Sequence, residues 1–147
     1  MNNEPARVLV IDDDASIRTF LSLLCRREGW IASTACDGDG VIAGISALRP
    51  DVIVLDLMMP NVSGFDVLEL LRAHDPSLLR KVILLTAVAT TIVNTVTIAP
   101  ELWKLIRKPF DMHELIATIR DCAEAHRPGC TTFAAVPPSR AGHVASM

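Results

Sequence analysis

Nowhere in its 147 residues does the chain offer an apolar run near the roughly 20 positions that a membrane-spanning helix needs, although half of it is hydrophobic. A bilayer span is therefore not expected, and a soluble protein is. The start, MNNEPARVLVIDDD, lacks a basic leader region, and its apolar stretch is short and soon followed by acids, which points away from a secretory signal and toward the cytoplasm. Blocks of Lys and Arg are missing as well. With a net charge of -3 there is no general pull toward nucleic acid, so direct DNA or RNA binding is not expected. The four cysteines, Cys25, Cys36, Cys122 and Cys130, include no CxxC pair and no nearby His at ligand spacing, and read as buried or incidental thiols. No internal repeat is visible, and the length suits one domain of ordinary size.

What is present is a regular alternation of short apolar runs with helical patterns, the signature of βαβ units and a parallel sheet. RVLVI, WIASTA, DVIVLD, KVILLT and LWKLIRK read as five strands. Helices are expected from about Ala15 to Glu28, over GDGVIAGISALR (loosened by Gly40 and Gly44), over GFDVLELLRAH, and over MHELIATIRDCAEA with Asp111 as its N-cap. The remaining stretch, TAVATTIVNTVTIAP, is rich in β-branched residues, and Val82 to Pro100 carries no charge. Local propensity favours a strand there, but a crossover between parallel strands calls for a helix, so a short or frayed fifth helix is expected. After about residue 126 the prolines and small residues of RPGCTTFAAVPPSRAGHVASM read as a flexible C-terminal tail or linker stub, leaving residues 1–126 as the domain.

In an open parallel α/β sheet, ligands bind beyond the carboxyl ends of the strands. The first strand ends in Asp12 and Asp13, the third in Asp56, the fourth in Thr86 and the fifth in Lys108. Three carboxylates, a hydroxyl and an ammonium on one rim suit a divalent cation together with an anion, with hard oxygen ligands for Mg²⁺ and donors for oxyanions. The run VLVIDDDASIR stacks three like charges at one strand exit. Crowding of that kind must be relieved by a proton, a cation or separation in space.

The pieces VIDDDASIR, VIVLDLMMPNVSG, ILLTA and RKPF resemble the receiver domain of two-component response regulators, which includes the single-domain chemotaxis regulators. The resemblance covers about Arg7 to Ala125. Its most specific parts are Asp56-x-x-x-Pro60-x-x-x-Gly64 after an apolar strand, and the intervals of 30 and then 22 positions from Asp56 to Thr86 to Lys108. It implies a flavodoxin-like five-stranded parallel sheet of order 2-1-3-4-5 with five helices. It also implies a signalling phosphoprotein, not an enzyme acting on other substrates, that takes a phosphoryl group from a histidine kinase or phosphotransfer protein onto Asp56. Asp12, Asp13, Asp56 and the backbone carbonyl of Met58 would hold Mg²⁺, and Thr86 and Lys108 would bind the phosphoryl oxygens. The Lys108–Pro109 bond would be cis.

Three features depart from the family pattern. Leu105 stands where the family has an aromatic switch residue three before the lysine. Trp103, two residues earlier and so expected on the same strand face, either reports the state with Leu105 or only fills an apolar surface. Met58 and Val88, two after the acceptor and two after the threonine, are apolar, which implies slow autodephosphorylation. The uncharged fourth crossover, with Thr90, Ile92, Val93 and Val96 beside Trp103, reads either as a homodimer or effector surface made with the fifth strand and fifth helix, or as a helix buried more deeply than usual.

Two other readings stay open at this stage. VLVIDDDAS also fits the D-x-D-x-[ST] signature of haloacid dehalogenase-type phosphatases, with Asp12 as nucleophile and Asp14 as acid/base, but the acidic pair expected after the lysine is missing. A non-phosphorylated pseudo-receiver serving as an interaction module is the other.

Overall fold

The computed structural model describes residues 4–56, 64–86 and 101–126. Five strands, β1 (Arg7–Ile11), β2 (Ile31–Ala35), β3 (Val52–Asp56), β4 (Val82–Thr86) and β5 (Lys104–Arg107), form one parallel sheet in the order β2-β1-β3-β4-β5. Among the described residues the helices are α1 (Ala15–Arg27), α2 (Gly38–Leu48), α3 (Gly64–His74) and α4 (Met112–His126), with a 3₁₀ turn over Pro76–Lys81. The helix closing the domain in the sequence reading is thus α4. The expected fourth crossover, residues 87–100, the segment 57–63 and the tail 127–147 lie outside the described residues.

Each central strand is apolar at consecutive positions because both of its faces are covered. Leu9, Ile11, Ile53, Leu55 and Leu84 pack on one side with Val41 and Ile45 of α2 and Val67, Leu68 and Leu71 of α3. Val8, Val10, Val52, Val54, Ile83 and Leu85 pack on the other with Leu21, Leu24 and Cys25 of α1 and Leu115, Ile119 and Cys122 of α4. The period of two along β1 and β3 sorts the side chains between the layers.

Several local expectations change in detail. Gly44 has a packing role as well: a Cβ there would lie 3.0 Å from Leu9 Cδ1, so glycine lets the helix settle onto β1. Arg49, in the left-handed region at φ 54°, ends α2 and donates its N–H to Ile45 O. The Pro76–Lys81 turn, capped by Asp75, was not foreseen. β5 starts later than the sequence pattern implied, and this overturns the pairing of Trp103 with Leu105: Leu105 packs on the α2–α3 layer, whereas Trp103 packs on the α1–α4 layer with Ile106. Trp103 precedes the strand, so the two-residue alternation does not extend to it. Its ring meets His126 of α4 edge-on at 5.5 Å.

The thiols behave as expected where they are described. Burial pushes the Cys25 thiol up to about 11, with help from the Glu28 charge, which leaves it protonated and unreactive. Cys122 is buried at the foot of the sheet, and His126, one helical turn on, brings Nδ1 to 3.6 Å of its Sγ, which corrects the expectation that no histidine stands near a cysteine.

Candidate functional site at the carboxyl end of the sheet

Register places the site. Asp56 is the last residue of β3 and pairs with Leu85, and Thr86, last in β4, pairs with Arg107. Lys108 follows at once and is tied to its neighbour strand by its N–H to Thr86 O, 2.8 Å. Its ammonium then crosses to Asp56, with Nζ 2.9 Å from Oδ2. The Lys108–Pro109 peptide is cis. Asp12 leaves β1 beside them, its N–H bonded to Ala35 O at the end of β2.

The three aspartates of the opening run separate cleanly. Asp14 is the N-cap of α1: its Oδ1 accepts from Ser16 N–H at 2.8 Å. It is therefore engaged in ending the loop, not in the acid/base position that the phosphatase reading gave it. Asp13 is half-buried on the loop between. Asp12 is 1 % exposed, and while its Oδ1 accepts from Asp14 N–H at 2.9 Å, its Oδ2 is buried with no hydrogen-bond partner.

Charge explains what that oxygen needs. The Asp12 carboxyl is raised to about 6, first by burial and then by the charge of Asp56 and the carboxyl–carboxyl hydrogen bond of the protonated form, against the opposing pull of Asp14 N–H and Lys108. Two ionised carboxylates are both acceptors, so neither can donate to the other, and a proton or a cation between them relieves the repulsion. Hard oxygens, one of them buried and unmatched, fit a divalent cation such as Mg²⁺. Among the described residues, which include Asp12, Asp13 and Asp56, no three His, Cys, Asp or Glu side chains gather into a metal-holding group.

Asp12, Asp56, Thr86 and Lys108 thus reach one end of the sheet as the strand ends foretold, with a direct Lys108–Asp56 contact. Thr86 is wholly buried. Met58, Val88, Ile92 and Val96 lie outside the described residues. One neighbour was missed: Arg18 of α1 donates from Nη1 to Asp12 O at 2.7 Å. The sequence signal was available, since Arg18 stands four residues after the cap Asp14 and helical side chains lean toward the N-terminus.

A profile of the response regulator receiver domain family matches residues 8–120. The chain belongs to that family. Among relatives of this receiver, the probable transcriptional regulatory protein TcrX of Mycobacterium tuberculosis is 38% identical over 131 residues, covering 89% of this chain and 54% of that protein. The DNA-binding response regulator MtrA of Mycobacterium leprae is 37% identical over 114 residues, covering 78% and 49%. The receiver spans about half the length of these curated relatives. Among solved structures, it is similar to the Thermotoga maritima response regulator TrrA in complex with Mg²⁺ and BeF, with TM-score 0.67 and 27% identity over 80% of this chain and 98% of that one. It is likewise similar to the Vibrio cholerae chemotaxis protein CheY4, with TM-score 0.71 and 28% identity over 81% and 99%. The receiver is therefore a component of two-component signalling, and among its described residues no helix is long and apolar enough to cross a membrane.

Proposed function

We propose that this receiver, extending over residues 1–126, accepts a phosphoryl group on Asp56 from the phosphohistidine of a histidine kinase or phosphotransfer protein in the cytoplasm. An Asp56 carboxylate oxygen attacks phosphorus, the phosphorus–nitrogen bond breaks, and its electron pair leaves with the imidazole. Asp12, Asp13 and Asp56 would hold Mg²⁺ with the Met58 carbonyl. When bound, the ion supplies charge neutralisation for the transferring group. Lys108, already 2.9 Å from Asp56, stands ready to donate to phosphoryl oxygens, and Thr86 would do so from the end of β4. The observation that carries this reading is the buried, unmatched Asp12 Oδ2 beside Asp56, a place built for a cation next to an acceptor. Incubation with acetyl phosphate and Mg²⁺ is expected to add the mass of one phosphoryl group to the wild type and none to Asp56→Asn; equal mass gain in both would sink the assignment.

The phosphorylated form is read as long-lived, because neither Met58 nor Val88 offers a side chain that can hydrogen-bond an attacking water. Replacing them together, Met58→Asn with Val88→Glu, is expected to shorten the half-life of the acyl phosphate several-fold. An unchanged decay rate counts against the idea. Output is read as protein-to-protein, through a homodimer or an effector docking on the face that includes β5, α4 and the apolar residues Ile92 and Val96.

A further inference from the structure

The loop that carries Asp12 is held by three kinds of contact. Asp12 N–H bonds Ala35 O at 3.1 Å, Asp14 N–H bonds Asp12 Oδ1 at 2.9 Å, and Arg18 Nη1 donates to Asp12 O at 2.7 Å. The first two come from main-chain donors, while the third is a charged donor on a long side chain, reaching back over the first turns of α1. Hydrogen bonds from ionised donors are the stronger class. This one lands on the main chain of the residue whose Oδ2 is buried without a partner beside Asp56.

We infer that Arg18 is a positioning residue for the divalent cation: by gripping the Asp12 carbonyl it fixes the turn that holds the Asp12 carboxylate toward Asp56. The inference rests on the reading of this site as a Mg²⁺-dependent phosphoacceptor. Arg18 does not serve by its charge, since a guanidinium near a cation site repels the cation. Removing it strengthens Mg²⁺ binding if charge dominates and weakens binding if position dominates. The two effects have opposite signs, so a titration decides between them. Truncation at this position is also benign for packing, because the Arg18 side chain borders an open cavity of about 420 Å³ between α1 and β2, with Thr19, Ser22, Ser33 and Thr34 around it.

The test is calorimetric titration of Mg²⁺ into the full chain as wild type, Arg18→Met and Arg18→Lys, with thermal melting of each in EDTA. Loss of a group that orients a metal ligand typically weakens metal binding by about ten-fold or more, and about ten-fold is expected for Arg18→Met. Arg18→Lys, which keeps a charged donor, is expected to recover part of that affinity, and both variants should melt in EDTA near the wild type. Mg²⁺ bound by Arg18→Met as tightly as by wild type, or more tightly, overturns the inference. So does equal weakness in Arg18→Lys and Arg18→Met. If wild type neither binds Mg²⁺ nor gains a phosphoryl group from acetyl phosphate, the proposed function falls and takes this inference with it; if wild type does both and Arg18→Met matches it, the inference alone falls.

Discussion

Asp12 keeps a carboxylate almost wholly out of water beside a second one, and that single placement sets how the apo protein answers to pH. Its carboxyl is raised from the usual 3.8 to about 6 in the folded chain, first by burial and then by Asp56. A folded state that binds the proton more tightly than the unfolded one gains from protonation. The gain is fully present below the unfolded value and is lost as pH rises through the folded value. In EDTA, the melting temperature is therefore expected to fall as pH is raised from about 4 to about 6 and to level off above, with up to about 3 kcal/mol at stake at 1.36 kcal/mol per unit. Asp12→Asn should flatten that slope and melt higher than wild type near neutral pH. A wild-type melting curve indifferent to pH in this window would contradict the placement. These residues were legible because strand ends in a parallel sheet converge, so Asp12, Asp56, Thr86 and Lys108 could be found by asking what stands after each apolar run. Arg18 was not found that way: on a helix pattern it looks like an ordinary exposed charge, and only the backward lean of its side chain brings it to the site.

At the scale of elements, the strands and helices followed from periodicity and capping, down to Asp111 at the start of α4, whose Oδ1 accepts from His113 N–H. Boundaries were where pattern failed. β5 begins at Lys104, and Trp103 turns to the opposite layer, so a strand-face argument put it beside Leu105 when it belongs with α4. Its neighbour His126 has an imidazole held below its usual value, mainly by burial and also by the charges of Lys81 and Arg80, against the raising pull of the Cys122 carbonyl and Asp51. The neutral ring is favoured in the fold, so protonation is expected only as pH drops below the ordinary histidine range, and it costs stability there. In a Trp30→Phe background, Trp103 emission should titrate below pH 6.5, and His126→Gln should abolish the change. A midpoint at or above that value would mean the ring is not held as described. The 3₁₀ turn at Pro76–Lys81 escaped the reading for a simpler reason: its six residues are too few for a helical period to show.

Over the whole molecule, a parallel sheet covered on both faces was readable from the alternation of apolar strands with amphipathic helices, and its strand order only from the resemblance to receiver domains, while the surface that carries output was not legible. Lys104 and Glu114 bridge β5 and α4 at 3.4 Å on the face expected to meet partners. Adding beryllofluoride with Mg²⁺ is expected to shift sedimentation from monomer toward dimer, and a monomer under both conditions would leave only a heterologous effector for that face. The chain spans about half the length of relatives whose names include DNA-binding regulators. The contact of Lys108 with Asp56 has a consequence in time as well as in space. The two residues are 52 positions apart, and Asp12 lies farther back still. A chain emerging from the ribosome therefore exposes Asp56 long before it owns the lysine, and non-local pairings of this kind form late. Under the proposed function, incomplete chains would not carry the signal: competence would arrive only when β5 has docked, which would make the lysine contact a check that the switch has been built to its end.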